Sequence, residues 1–179
     1  DGGELYVVEH GRGDYVWTFG DDDEMAPGGI AYVLDLVRKH PEITFAWANY
    51  RGFAKTNPAF DLGGSKFFAD GNDALGTLQN LLGQISTFIF KREVAMQVMP
   101  LAKQQNGSWW SILVPILHAF SQPSGRFYFV QGPYVINHPP TEEEIKGIGF
   151  HDNGCKVFGV NLYNIYKLFD GKFDRKVIR

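Results

Sequence analysis

Asp21, Asp22 and Asp23 are the residues whose type and spacing most directly imply chemistry. Three adjacent carboxylates repel one another by about 1 kcal/mol per pair even in full water. A chain that keeps them implies a compensating cation or a solvated exit. They follow the β-branched and aromatic run 15–19 (YVWTF), and ligands of open α/β sheets bind beyond the carboxyl ends of strands. In extended chain, residues i and i+2 point to the same side. Asp21 and Asp23 would then converge on one hard divalent ion, magnesium or manganese, with phosphate oxygens completing its shell. The competing reading is a solvated acidic turn capping the helix that begins near Pro27.

The other chemically capable residues are sparse. No Asp or Glu occurs between Glu93 and Glu142, so His118 and His138 are the titratable candidates there. His118 sits in an apolar run and reads as a core histidine with one hydrogen bond. His138 precedes Pro139-Pro140, a turn setting. His10, His40 and His151 show no partner pattern. Trp109 and Trp110 could stack on a sugar ring, although adjacent helical residues face different directions and one should belong to the core. Gly63-Gly64 with Asp61, Asp70 and Asp73 would suit either a mobile lid or a solvated loop.

Around these residues the sequence implies an α/β order. Run 15–19 and run 43–50 (ITFAWANY) read as strands. Between them Ile30, Val33, Leu34 and Val37 recur at helical spacing, with Pro27 suited to the first turn and Arg38 and Lys39 to the last. Strand, acidic turn, helix, strand is a βαβ rhythm. Residues 51–84 read as a long glycine-rich loop with one short helix. Residues 85–90 read as a strand running into a helix over 92–99, and 109–120 as a helix kinked near Pro115. Residues 126–131 and 134–137 read as strands parted by Gly132-Pro133. Thr141 to Glu144 match a capping box, and 157–169 have helix-like spacing.

The 179 residues carry 17 Lys+Arg against 20 Asp+Glu, a formal charge of −3. That balance, with no Lys/Arg cluster, argues against a nucleic-acid grip. No apolar run reaches the length of a membrane span. One cysteine, Cys155, excludes a disulfide framework within the chain and fits a reducing compartment. The cytoplasm is the expected location.

The string Gly13-Asp14-Tyr15-Val16-Trp17, then Asp21-Asp22-Asp23 and Pro27-Gly28, resembles the metal-binding region of GT-A glycosyltransferases of family 2. It is most similar to the abequosyltransferase-like branch, whose pattern is G-x-Y-[IV]-W-x-x-x-D-D-D-x-x-x-P-G. Residues 84–93 (QISTFIFKRE) resemble that family's later strand and helix start, and 126–130 the strand after its acceptor-side helix. The resemblance implies a GT-A-like (Rossmann-related) mixed sheet with flanking helices, N-terminally incomplete. Residues 1–150 would form the metal-binding and acceptor-side part, and 151–179 a C-terminal helical extension.

The implied activity is sugar transfer from a nucleoside-diphosphate-sugar donor to a saccharide or lipid-linked acceptor, in bacterial surface polysaccharide (O-antigen-type) synthesis. It would take place in the cytoplasm, at the inner face of the membrane if the chain associates peripherally. By the same resemblance Asp21, Asp22 and Asp23 would bind the nucleotide-sugar. Asp21, Asp23 and His138 would hold manganese or magnesium. Two family features do not occur here. Only about a dozen residues precede the first strand, where the family has its base-binding half, so the expectation is a fragment inactive by itself. The Glu-Asp pair that supplies the general base is replaced by Gly107-Ser108-Trp109-Trp110-Ser111, so the resemblance supplies no catalytic base. The alternative is a non-catalytic GT-A-derived carbohydrate-binding or interaction module.

Overall fold

The computed structural model describes residues 3–138 and 154–177. The expected helix from Thr141, His151 and the division at 150/151 lie outside the described residues.

The longest buried run in the sequence becomes the central strand. β3 (Phe45–Gly52) is buried over its first five residues, as a strand covered on both faces must be. Around it the sheet runs β1 (Tyr15–Trp17), β5 (Phe88–Lys91), β3, β6 (Phe127–Asn137), β2 (Glu24–Met25), with β4 (Lys66–Phe67) also on β6. β3 and β6 are parallel. β5 is antiparallel to both β1 and β3, and β2 and β4 are antiparallel to β6. β1, β3 and β6 therefore run in one direction and end at one edge. The expected βαβ unit is present in split form, with antiparallel β5 inserted between β1 and β3.

Strand alternation sorts the core into two layers. Phe45, Trp47, Phe88, Phe90, Phe127 and Phe129 share one cluster, together with side chains of α1 (Gly3–His10), α3 (Gly71–Leu78), α4 (Arg92–Met96), α5 (Met99–Gln104) and α6 (Leu113–Ser121). The residues between them, Ala46, Ala48, Ile89 and Val130, pack with Val33 and Leu36 of α2 (Gly29–Lys39) on the opposite face. The result is a mixed α/β sandwich, helices on both sides of one sheet.

Several local expectations change. Gly28, at φ 84, caps α2, so Pro27 lies before the helix and not in its first turn. The 51–84 stretch holds the one short helix expected there, α3, and adds β4 and a 3₁₀ turn, Gln79–Leu81, to the expected loop. The 85–90 strand starts later: Ile85–Thr87 is a 3₁₀ turn and β5 begins at Phe88. The helix expected over 92–99 ends at Met96 as α4, and a second helix, α5, starts at Met99 and runs on to Gln104. The 109–120 helix begins at Leu113, which places Pro115 within the first turn, where its missing N–H breaks no helical bond. α1 and the two-residue strands β2 and β4 carry no periodic signal in sequence. α1 is held from outside, by the Arg92 guanidinium donating to the carbonyls of Val8 at 3.0 Å and Glu9 at 2.6 Å.

Residues 127–137 form one strand and not two, with its register against β3 slipping between the Ala48–Val130 and Tyr50–Val135 pairs. Gly132-Pro133 falls in that gap, where proline has no N–H for a ladder. Buried Asn49 fills it, its amide donating to the Gln131 carbonyl at 3.1 Å and to that of Phe60. A π-helical segment, Cys155–Asn161, runs into α7 (Leu162–Lys167), in line with the helical spacing of 157–169.

Candidate functional site

The carboxyl ends of β1, β3 and β6 meet at one edge, and each delivers a residue there. β1 exits into a turn at Gly20–Asp23, closed by the Asp23 N–H donating to the Gly20 carbonyl at 3.4 Å. Beyond β3 comes Phe53, and beyond β6 comes His138, whose rings lie 4.3 Å apart.

The turn separates the three aspartates. Asp21 and Asp22 are exposed, whereas Asp23 is half-buried. Its Oδ1 accepts from Asn137 Nδ2 at 2.9 Å and from the His138 backbone N–H at 3.3 Å. Its Oδ2 accepts from Gln84 Nε2 at 3.1 Å. Convergence of Asp21 and Asp23 presumed an extended chain, and the chain here is turned, so the i, i+2 argument no longer aims them together.

Gln84 reaches Asp23 because the segment before β5 is stitched to the exit of β1. Trp17 Nε1 donates to the Ser86 carbonyl at 2.8 Å, and Thr18 Oγ1 to the Ile85 carbonyl at 2.7 Å. The Gly20 N–H donates to Ser86 Oγ at 2.8 Å. These four side chains carry no signal of a site in the sequence, since their partners lie more than sixty residues away.

The His138 ring meets Glu24, not Asp23. Its Nε2 lies 3.2 Å from Glu24 Oε1, yet outside hydrogen-bond geometry, so this buried nitrogen has no hydrogen bond among the described residues. Glu24 is half of β2, which pairs Glu24 with Ile136 and so carries it to the end of β6. Its adjacency to the aspartates is the one cue in sequence. Among the described residues no three of His, Cys, Asp and Glu are grouped to hold a metal ion. Asp23 and Glu24 bring carboxylate oxygens, and His138 a buried imidazole nitrogen without a hydrogen bond, to this edge.

The remaining candidates have structural partners. His118 Nε2 pairs with Gln97 Oε1 at 3.0 Å, and burial holds its pKa below the ordinary 6.5. Asp70 accepts from the Asp73 N–H at 2.9 Å, and Asp73 accepts from the Ala69 N–H at 2.9 Å, so this pair caps α3. Asp61 accepts from the Gly63 N–H at 2.8 Å within its own loop. Trp109 stands exposed at φ 73 before α6 and not on it. Trp110 is half-buried against the core and donates to the Val157 carbonyl at 2.7 Å.

No family model matches the chain, and no curated protein sequence matches it. No helix among the described residues is long and apolar enough to cross a membrane.

Proposed function

We propose that this chain serves sugar transfer from a nucleoside-diphosphate-sugar donor to a saccharide or lipid-linked acceptor, on a GT-A-like scaffold, in cytoplasmic synthesis of a surface polysaccharide. The observation that carries the reading is Asp23, gripped on both oxygens at the common carboxyl edge, where the adjacent Glu24 faces the His138 ring. In open α/β sheets that edge is where ligands bind.

Asp23 and His138 would hold a divalent ion together with the donor's phosphate oxygens, with exposed Asp21 and Asp22 toward the donor. Such an ion supplies Lewis-acid neutralisation of a diphosphate leaving group. The chain's own residues prepare for it. Asn137, Gln84 and the His138 N–H fix the Asp23 carboxylate in one orientation, which lowers the ordering cost of binding. Phe53 covers the His138 ring from one side.

The absence of any Asp or Glu from 94 to 141 favours one second reading, a GT-A-derived module that binds carbohydrate without turnover.

Calorimetric titration with manganese, in the presence of a nucleoside diphosphate, tests the site in wild type, Asp23→Ala and His138→Gln. Each substitution should weaken binding at least about tenfold. Equal affinity in all three would overturn the assignment. Release of nucleotide from a sugar donor on adding acceptor separates transfer from the binding-only reading.

A further inference from the structure

The C-terminal helical segment differs in charge from the rest of the chain. Residues 154–177 carry five exposed cations, Lys156, Lys167, Lys172, Arg175 and Lys176, against two acids, Asp170 and Asp174. The whole chain is at −3. The segment is anchored by a stripe repeating at four- and eight-residue intervals, Val157, Ile165, Phe169 and Phe173, all buried.

Its outward side is unusually apolar. Val160 and Tyr163 are 57% and 62% exposed, and Leu168 is 40% exposed. Tyr163 and Tyr166 line an open groove of about 980 Å³ against the 3₁₀ turn at Gln79, with Lys167, Arg175 and one acid, Asp170, on the same walls. Rings, aliphatic side chains and cations are therefore presented together.

We infer that this segment docks the protein onto an anionic lipid bilayer. A helix with basic and apolar residues on its free side lies in the membrane interface. Tyrosine rings favour the headgroup level, and each Lys or Arg close to an anionic leaflet raises affinity about fivefold. The acidic remainder of the chain is repelled by the same surface, which orients the molecule with this end down. Val160 and Leu168 argue against a nucleic acid as occupant, since a phosphate backbone offers them nothing.

Sedimentation of the full chain with sucrose-loaded vesicles tests the inference. Vesicles of phosphatidylcholine mixed with phosphatidylglycerol should carry the protein down, and added salt should release it. Pure phosphatidylcholine should carry down much less. The double variant Lys167→Glu, Arg175→Glu should lose at least about 25-fold in affinity, and Tyr163→Asp with Leu168→Asp at least about tenfold. All four side chains are exposed, so a wild-type circular dichroism spectrum is expected throughout. Ile30→Asp on α2, 60% exposed but far from this segment in sequence, should bind as wild type. A protein that stays in the supernatant, sediments equally with both vesicles, binds a single-stranded oligonucleotide instead, or loses affinity equally through Ile30→Asp would overturn the inference. None of these outcomes depends on metal binding at Asp23, so this inference and the proposed function fail separately.

Discussion

Asp23 differs from Asp21 and Asp22 by what it touches. Three identical carboxylates leave one strand, and the turn at Gly20 presents two to solvent and one to the amides of Asn137 and Gln84. A carboxylate only accepts, so it satisfies all three of its donors, whereas an Asn there would set an NH₂ group against a donor. Asp23→Asn should therefore destabilise the fold by about 1–2 kcal/mol, read as a lower urea midpoint with an unchanged slope. An unaltered midpoint would mean that the grip on Asp23 contributes nothing to folding. Asp21→Asn, in an exposed corner position, should leave the midpoint within about 0.5 kcal/mol of wild type.

Among the elements, α3 and α6 show how closely the helical layer is fitted. A Cβ on Gly71 would stand 1.8 Å from the Phe120 carbonyl oxygen, a backbone atom that no rotamer change can move. Gly71→Ala should therefore destabilise by roughly 3 kcal/mol, against the gain of up to about 1 kcal/mol that Ala brings to an unobstructed helix. Thermal melting decides the sign, and a raised midpoint would show that α3 can slide away from α6. His118, on α6, gives this element a pH dependence. Burial lowers its folded pKa below the unfolded 6.5, so the unfolded chain binds the proton more readily. Its contribution is complete above about 6.5 and is lost as pH falls through the lower folded value. Urea midpoints measured on both sides of that window should fall more steeply in wild type than in His118→Gln. Parallel curves would show that His118 titrates alike in both states.

At the scale of the whole molecule, one topological fact organises the rest. β1, β3 and β6 end together because β5 enters antiparallel between the first two while β6 lies parallel to β3. That gathers Asp23, Phe53 and His138 from positions spread over more than a hundred residues. Much of the scaffold was legible beforehand, because its signals are local. The apolar run 43–50, the spacing of Ile30 to Val37 and the acidic turn each reflect the period or chemistry of a few neighbouring residues, and they specify a strand, a helix and an exit. What stayed illegible depends on partners distant in sequence. α1 has no amphipathic pattern, and Arg92 holds it through carbonyls some eighty residues away. Asp70 and Asp73 offered a lid or a loop, until the start of α3 beside Phe120 made them its cap. Local patterns were enough for the α/β class and for an acidic turn at the end of the first strand. That Asp23, of the three aspartates, is held by amides and that the His138 ring meets Glu24 required the assembled sheet, because hydrogen bonds between strand ends follow sheet order, which no local pattern encodes.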